Sequence, residues 1–496
     1  MRLLSLVLVS LLFANSCGDD AENADVDRVV DVVETEDVLD SFEFDSSRDV
    51  PPDGARDEGP DPWTSEWNTE PNVEILDLTP CEEWETVEAI PRALPPNSSP
   101  RVLWTFNPRD DPMYSATKAN FENDSYFPVV SRDGSIWLRG PKTTDIMQVN
   151  RQGTMRRWYN AAPEAAGPLV GIELGAMAAL PDASMVLLTT SNSGSGVLQR
   201  FSPDWPEDQY IPPTDYDRVG HIHSDFESQI LVAPHGMLYV TGPNTLTAIC
   251  QARRVMWILT NRVKPGTADR TGHLHSSYIL PNGTILASGA DARLHQVSPQ
   301  GEVTSLYLAP DLDRSYWRRV DGFVGNYPVV TVVNPADLDA STERTHLLVD
   351  GDEVVARIVG RNLSGGPIDR MFFEHDGEWR SATSPEFEPV VIDNSGHFLG
   401  SATYLQDGSF YFGRGLPTAM FGAVFDVERT TVEAGWRVEG AFFNRTSFAL
   451  DETGVSYSAE TGAGLVAVQV AELPPPLTHC SGFYCNGYHD RWIRAG

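Results

Sequence analysis

Short apolar runs alternate with turn-forming residues along most of the chain after residue 100. In residues 278–308, four runs rich in β-branched and aromatic residues are separated by turn signals. The clearest signals are Asn282-Gly283 and Pro299-Gln300-Gly301, because asparagine and glycine readily adopt the backbone angles that tight hairpins need. The pattern predicts a unit of four antiparallel strands.

This four-stranded unit is repeated along the chain. Its first turn recurs at Gly134, Ala183, Gly236, Gly283, Pro335, Gly408 and Gly454. The spacing of neighbouring turns is nearly constant, except for one longer interval between Pro335 and Gly408. That interval contains an additional hairpin pattern at 371–382. A period of about 50 residues with four short strands per repeat is typical of a β-propeller. We therefore expect an all-β protein with a single propeller over residues 101–473, of about seven blades, with eight as the alternative.

The last repeat lacks its outer strand, since Pro474-Pro475-Pro476 ends the pattern soon after its third run. The run "RVLWTF" at 101–106 precedes the first repeat and has no partner within it. Its Trp104 matches the tryptophans found late in other repeats. We expect this strand to complete the final blade, because closure of the ring removes two exposed sheet edges.

Two stretches, "VNRQGTMRRW" at 149–158 and "AICQARRVMW" at 248–257, each follow a strand–turn–strand pattern. They resemble the degenerate repeats of quinoprotein-like (PQQ-repeat) β-propellers. That fold is shared by quinone-dependent dehydrogenases and by the propeller lipoprotein of the outer-membrane β-barrel assembly machinery, and the resemblance covers roughly residues 100–470. The full repeat motif of the dehydrogenases is not reproduced, and the adjacent cysteine pair that they place over the cofactor is not found. The resemblance thus implies the propeller scaffold, with PQQ not expected as a cofactor.

The N-terminus resembles an export signal. Residues 1–17 contain one basic residue, an apolar run too short to span a bilayer, and then Ala14-Asn15-Ser16-Cys17. The last four residues resemble a bacterial lipobox, in which the cysteine becomes the lipidated first residue. We expect lipid on Cys17 as the protein's membrane contact. The expected location is the cell envelope, as an outer-membrane lipoprotein facing the periplasm or the surface. Simple secretion is the alternative.

An acidic leader separates this signal from the repeats. Between Asp19 and Asp77 the net charge is −18, over half of the −34 of the whole chain. With few large apolar residues, residues 18–100 are expected to form a disordered linker that tethers the propeller. The net negative charge also argues against nucleic acid as a partner.

Cysteines outside the signal allow disulfides in an exported protein. Cys250 lies in the apolar run "LTAICQA" and is expected to be a buried free thiol. In the C-terminal tail, residues 474–496, Cys480 and Cys485 are the local candidates for a disulfide. Cys81 with either of them is the alternative, and spacing does not decide between these pairings.

Two His-x-His pairs provide the candidate ligand site. His221 and His223 precede one repeat, and His273 and His275 precede the next. In an extended segment, residues two apart point to the same side. If the incoming loops of a propeller surround its channel mouth, the four imidazoles could gather and hold a transition metal. Structural histidines in loops are the favoured interpretation, so no metal is assigned.

The sequence contains none of the common hydrolase, metalloprotease or nucleotide-binding motifs. It therefore favours a binding or scaffolding role toward a protein or another cell-envelope partner, without catalytic residues or an assigned cofactor. The alternative is a propeller enzyme or metal-binding protein that uses the paired histidines at the channel mouth.

Overall fold

The computed structural model describes a large part of the chain between residues 71 and 469. The described ranges are 71–88, 101–106, 128–139, 145–160, 172–191, 195–202, 209–211, 217–223, 230–233, 235–242, 245–260, 276–280, 283–288, 293–309, 311–312, 317–324, 327–334, 342–364, 370–391, 402–404, 410–416, 419–426, 431–439, 447–451, 453–460 and 464–469. Within these ranges every regular element is a strand, which confirms the all-β class. No helix in them is long and apolar enough to cross a membrane.

The strands form sheets that we number along the chain. Sheet 1 contains β3 (Val129–Val130), β4 (Ile136–Arg139), β5 (Asp145–Val149), β6 (Met155–Asn160) and β10 (Gln209–Ile211). Sheet 2 contains β7 (Ile172–Ala179), β8 (Met185–Ser191), β9 (Ser195–Phe201) and β11 (Asp217–His223). Sheet 3 contains β12 (Ile230–Val232), β13 (Met237–Gly242), β14 (Thr245–Cys250), β15 (Arg254–Thr260) and β1 (Asn72–Ile75).

Four more sheets follow. Sheet 4 contains β16 (Ser276–Ile279), β17 (Ile285–Ser288), β18 (Arg293–Val297) and β19 (Val303–Tyr307). Sheet 5 contains β20 (Trp317–Val324), β21 (Tyr327–Val333), β22 (Arg344–Asp350), β23 (Glu353–Ser364), β24 (Arg370–His375), β25 (Glu378–Thr383) and β26 (Val390–Val391). Sheet 6 contains β27 (Ala402–Tyr404), β28 (Phe410–Leu416), β29 (Ala419–Asp426) and β30 (Thr431–Glu439). Sheet 7 contains β31 (Ser447–Leu450), β32 (Val455–Glu460), β33 (Gly464–Gln469) and β2 (Arg101–Phe106).

The first turn of the repeat has the predicted geometry in five sheets. In each, the backbone N–H of the first turn residue donates to the carbonyl four positions later; the turns are 131–135, 180–184, 233–237, 280–284 and 451–455. Gly134, Gly236 and Gly283 adopt φ angles of 77° to 85° there, a region that favours glycine. In sheet 2 Ala183 adopts a similar angle, with φ of 64°. These turns all lie at one edge of the sheets, which we call the turn edge.

The other edge carries the connections between successive sheets, and we call it the loop edge. Because the first four strands along the chain in each of sheets 1 to 6 form an antiparallel meander, the fourth strand ends at this edge. The first strand of each sheet begins at the same edge. Among these connections are the segments 224–229, 261–275 and 308–316. The two edges therefore differ. The turn edge is formed largely by tight turns, whereas the loop edge carries the longer connections between sheets beside the short connections between second and third strands.

Successive sheets pack side by side through their first strands. Contacts join β3 to β7, β7 to β12, β12 to β16 and β16 to β20, and β31 also contacts β3. The hydrophobic core is divided between these interfaces. Phe106, Leu138 and Tyr457 belong to the cluster that joins sheets 7 and 1, whereas Trp137 and Phe201 belong to the one between sheets 1 and 2. The order of packing is thus 7-1-2-3-4-5.

The N-terminal strand completes sheet 7, as predicted. β2 pairs antiparallel with β33, in a register that joins Arg101 to Gln469 and Phe106 to Leu465. The last sheet thereby obtains its fourth strand from a segment that precedes the first sheet in the sequence.

One contact recurs between neighbouring sheets. Trp104 of β2 donates its indole N–H to Arg151 O at 2.6 Å and lies against Gly153 in the β5–β6 turn of sheet 1. Trp257 of sheet 3 donates to Pro299 O at 2.9 Å and lies against Gly301 in the β18–β19 turn of sheet 4. Both glycines have φ of at least 80°. A fourth-strand tryptophan therefore docks on the next sheet's turn at the junction of sheets 7 and 1 as well as at that of sheets 3 and 4.

A buried carboxylate strengthens the junction of sheets 7 and 1. Asp451 accepts hydrogen bonds from the backbone N–H groups of Thr453 and Val455 at 2.8 and 3.0 Å and from the Tyr457 hydroxyl at 2.8 Å. The oxygen that accepts from Tyr457 also lies 3.4 Å from Arg151 Nη2 of sheet 1. Burial, together with the Asp451 charge, raises the pKa of Tyr457, so the phenol remains a donor to the carboxylate.

Sheet 5 departs from the four-stranded repeat. The predicted extra hairpin in 371–382 is present as β24 and β25, and β26 adds a short edge strand. The hairpin packs over sheet 5, where Met371 and Phe373 join Val324 and Leu348 in one buried cluster. The longest interval between turns is thus explained by an insertion within one sheet. The prediction of a first turn near Pro335 was wrong, because that position follows β21, the second strand of sheet 5.

Residues 71–88 correct part of the linker prediction. β1 pairs antiparallel with β15, the fourth strand of sheet 3, and Trp84 is 5 % exposed. The acidic composition of residues 18–100 suggested disorder throughout, but this stretch contains enough apolar side chains to pack on sheets 2 and 3. The remainder of the linker, and the tail 474–496, lie outside the described residues.

Candidate functional site

The first histidine pair lies on a strand. His221 and His223 belong to β11, the fourth strand of sheet 2, in which His223 is the last residue and pairs with Ser195. The pairing shifts between Val219 and Ile222, so His221 falls within an irregularity of the strand. The sequence pattern placed this pair in an incoming loop, whereas the backbone places it at the end of an outer strand, at the loop edge.

The second pair, His273 and His275, lies outside the described residues, as do Cys17, Cys480 and Cys485. β16 begins at Ser276, directly after this pair, and β11 and β16 meet the same edge of their sheets. Gathering of the four imidazoles around one ion stays a prediction.

The described residues reveal a different feature, a strap formed by residues 76–88. It begins where β1 ends and crosses the turn edge of sheet 3. Leu76 N and Asp77 N both donate to Met256 O, and Arg254 pairs with Asp77 at 3.0 Å. At its far end, Val87 N donates to Pro181 O in the first turn of sheet 2. The strap therefore joins two neighbouring sheets at the edge opposite the histidines.

A disulfide fastens the strap. Cys81 is bonded to Cys250 at the end of β14, and their Cα atoms are 5.5 Å apart. The prediction that Cys250 is a buried free thiol was wrong. The apolar strand around Cys250 is buried, but its last residue reaches the turn edge, where the strap passes. This pairing also excludes Cys81 as a partner for Cys480 or Cys485.

Two further contacts position the strap. Trp84 donates its indole N–H to Ala233 O at 2.9 Å and enters the core cluster between sheets 2 and 3. Gln251 donates to the carbonyls of Glu82 and Glu83 at 2.8 and 3.0 Å. A Cβ at Gly236 would lie 1.8 Å from Glu82 O. The strap backbone thus passes over a turn that only glycine can form without displacing it.

A histidine lies near the strap at the turn edge of sheet 3. His235 Nε2 is 3.2 Å from the hydroxyl of Tyr239. Burial lowers the pKa of His235, and the nearby Glu83 of the strap partly opposes this shift. Burial also raises the pKa of Tyr239. Both side chains are therefore neutral near pH 7.

The described residues also contain one group with metal-ligand chemistry: Glu343, His375 and Asp376. Glu343 directly precedes β22 at the loop edge of sheet 5, and the other two residues form the tip of the β24–β25 hairpin. Glu343 Oε2 is 2.9 Å from His375 Nδ1, and Glu343 Oε1 accepts from Asp376 N at 2.7 Å. These hydrogen bonds contribute to the lowered pKa of the Glu343 carboxyl, the bond from Asp376 N being the largest cause. No motif in the sequence signals this group, since Glu343 lies before β22 and meets the other two residues only through the inserted hairpin.

Comparison with known proteins gives no family. No family model matches the chain, and no curated protein is similar to it in sequence. Among solved structures, a streptogramin B lyase aligns over 59% of this chain and 91% of its own, with 9% identity and a TM-score of 0.35. A catalytically inactive virginiamycin B lyase from Staphylococcus aureus with quinupristin aligns over 70% and 96%, with 11% identity and a TM-score of 0.36. The dihydro-heme d1 dehydrogenase NirN aligns over 61% of both chains, with 12% identity and a TM-score of 0.36. Similarity at this level carries no argument about the activity of this protein.

Proposed function

We propose that this protein is an exported, lipid-anchored β-propeller that binds or displays a cell-envelope partner at its loop edge. The seven sheets would be its blades, and β2 would close the ring. The strand pairing of β2 with β33, the contact of β31 with β3, and the shared tryptophan–glycine docking support this architecture. A resemblance to PQQ-repeat propellers supports the scaffold but not quinone chemistry.

The difference between the two edges is the observation that carries the binding role. The turn edge is built largely from tight turns and, in sheets 2 and 3, is covered by the strap and fixed by a disulfide. The loop edge receives the connections between sheets, among them the residues 261–275. Binding residues are concentrated on loops that a rigid scaffold positions, so the loop edge is the surface available for a partner.

The disulfide supports export. A bond between Cys81 and Cys250 persists in oxidising compartments and is rare in reducing ones. The lipid anchor at Cys17 and the outer-membrane location rest on the sequence. Replacement of Cys17 by serine should move the protein from the membrane fraction to the soluble fraction, and a variant that still sediments with membranes would contradict the anchor.

Site-specific photocrosslinking in the cells that produce the protein tests the binding role. A photoreactive residue at Lys264, in the connection between sheets 3 and 4, should yield a discrete adduct. The same residue at Gln152 or Gln300, both exposed in tight turns of the turn edge, should not. Adducts that form only from the turn-edge positions would show that the partner surface has been assigned to the wrong edge.

A further inference from the structure

The two ring nitrogens of His375 each face a carboxylate. Nδ1 is 2.9 Å from Glu343 Oε2, whereas Nε2 is 3.5 Å from Asp376 Oδ2. A neutral imidazole carries one N–H and one lone pair. When Nδ1 donates its N–H to Glu343, the Nε2 of a neutral ring offers its lone pair on the side of Asp376, whereas a doubly protonated ring donates from both nitrogens. The cation between Nε2 and Asp376 is therefore either a second proton or a metal ion.

The distance between Nε2 and Asp376 Oδ2 helps to identify that cation. Charge-assisted hydrogen bonds to a carboxylate are about 2.7–2.9 Å long, so 3.5 Å is too long for a proton shared between the two groups. Two ligands that bind one tetrahedral Zn²⁺ at about 2.0–2.2 Å are themselves about 3.3–3.5 Å apart. The observed separation therefore matches a pair of metal ligands better than a hydrogen bond.

Glu343 does not bind the ion in this arrangement, but it holds the two ligand residues in place. Metal-binding histidines usually donate their second N–H to a carboxylate, which fixes the ring and its tautomer. Glu343 does this through Oε2, and through Oε1 it also holds Asp376 N. One carboxylate, just before β22, thus fixes the His375 ring and the backbone of Asp376. His375 is half-buried, while Asp376 is 78% exposed, so solvent can reach the remaining coordination positions.

We propose that the tip of the β24–β25 hairpin is a binding site for a divalent transition metal of the Zn²⁺ class. His375 Nε2 and the Asp376 carboxylate bind the ion, water fills the other positions, and Glu343 is the positioning residue. Imidazole and carboxylate together suit Zn²⁺ and its neighbours in the first transition row rather than Ca²⁺ or Mg²⁺. The site is separate from the four paired histidines and does not depend on the proposed partner binding.

Calorimetric titration of the full-length protein with Zn²⁺, in excess Ca²⁺ to occupy the many exposed carboxylates, tests the site. The wild type should bind one Zn²⁺ ion that the His375→Ala variant does not bind. Glu343→Gln should weaken that binding by about tenfold. Glu378→Gln should leave it unchanged, because Glu378 is on the same hairpin but pairs with Arg380. Matching melting temperatures of all variants show that the fold is retained.

Nitrogen NMR of the imidazole provides the second readout. Zn²⁺ should shift the Nε2 resonance of His375 while Nδ1 keeps its proton, and Glu343→Gln should disturb this tautomer. Zinc binding that survives His375→Ala would assign the ion to other ligands and overturn the proposal. A His375 ring that carries protons on both nitrogens and does not respond to Zn²⁺ would overturn it as well.

Discussion

The junction of sheets 7 and 1 and the junction of sheets 3 and 4 use the same docking contact in different surroundings. In both, an indole donates to a turn carbonyl and lies against a glycine. At the first junction the sheets come from opposite ends of the repeat region, and the Arg151–Asp451 pair supports the contact. At the second, the chain runs directly between the sheets, and Val73 and Ile75 of β1 cover Gly301. The comparison teaches that the junction of sheets 7 and 1, which would close the proposed ring, reuses the ordinary contact between neighbours, while the continuous junction is covered by β1.

Removal of residues 101–106 should have the largest effect. It deletes Trp104 from its junction and leaves β33 with an unpaired edge, so both neighbouring interfaces lose support. We expect loss of the single cooperative melting transition, measured by calorimetry. Removal of residues 18–70, which precede β1, is the matched control and should leave that transition in place. A cooperative transition unchanged by the first deletion would mean that β2 does not close the last sheet.

Glycine-to-alanine substitutions should show which of the two junctions loses more unfolding free energy when a methyl group is added. At Gly153, an added Cβ would lie 2.6 Å from the Trp104 ring, and at Gly301 it would lie 3.1 Å from Val73. Gly351 has φ of 60° and open space around it, so it reports backbone strain alone. We expect unfolding free energies lower by about 4, 2 and 1 kcal/mol for the three variants, in that order. Equal losses, measured by denaturant titration, would show that the ring of Trp104 does not rest on Gly153.

Loss of the disulfide between Cys81 and Cys250 should weaken the attachment of the strap to sheets 2 and 3. A native disulfide typically stabilises a protein by about 2–4 kcal/mol. Replacement of both Cys81 and Cys250 by serine should lower the unfolding free energy by about that amount and increase proteolysis near residues 76–88. A reducing agent should increase proteolysis of the strap in the wild type and leave proteolysis of the strap unchanged in the double variant. Protection of the strap in that variant would show that Trp84 and β1 hold it without the bond.

The smallest expected effect is a pH dependence at the strap. The pKa of His235 is lowered by burial in the folded protein, so the unfolded state binds a proton first as the pH falls. Neutral His235 therefore makes its full contribution to the unfolding free energy at pH values above its ordinary pKa near 6.5. That contribution is lost progressively as the pH falls through 6.5 toward the lower pKa of the folded protein. The His235→Gln variant should show a flatter dependence between pH 7 and 5. An identical pH dependence of the unfolding free energy in the wild type and the variant would show that His235 makes no such contribution.

Much of this fold follows from local rules that a sequence displays. The turn positions Gly134, Gly236 and Gly283 are visible because their backbone angles favour glycine, and the pairing of residues 101–106 follows from a repeat that lacks one strand. Such features depend on nearby residues or on counting strands, which is why they were predicted.

The strap and the hairpin site depend on encounters that local patterns do not encode. Cys81 and Cys250 are far apart in the sequence, with a separation of 169, and nothing near Cys250 distinguishes a disulfide from a buried thiol. The acidic composition around Trp84 predicted disorder, although this side chain packs between sheets 2 and 3 and holds the strap there. Glu343 meets His375 because an inserted hairpin folds over sheet 5, and the parallel addition of β10 to sheet 1 likewise has no signal in the repeat.

Trp104 joins sheets 7 and 1 by docking on Gly153, and a double-mutant cycle tests this contact most directly. Gly153→Ala should be strongly destabilising in the wild type but much less so in a Trp104→Ala background, because the clash with the ring is then absent. The expected coupling free energy is about 2 kcal/mol, within the range found for residues in contact. Additive losses from the two substitutions, with no coupling between them, would contradict the closure of the ring through this contact.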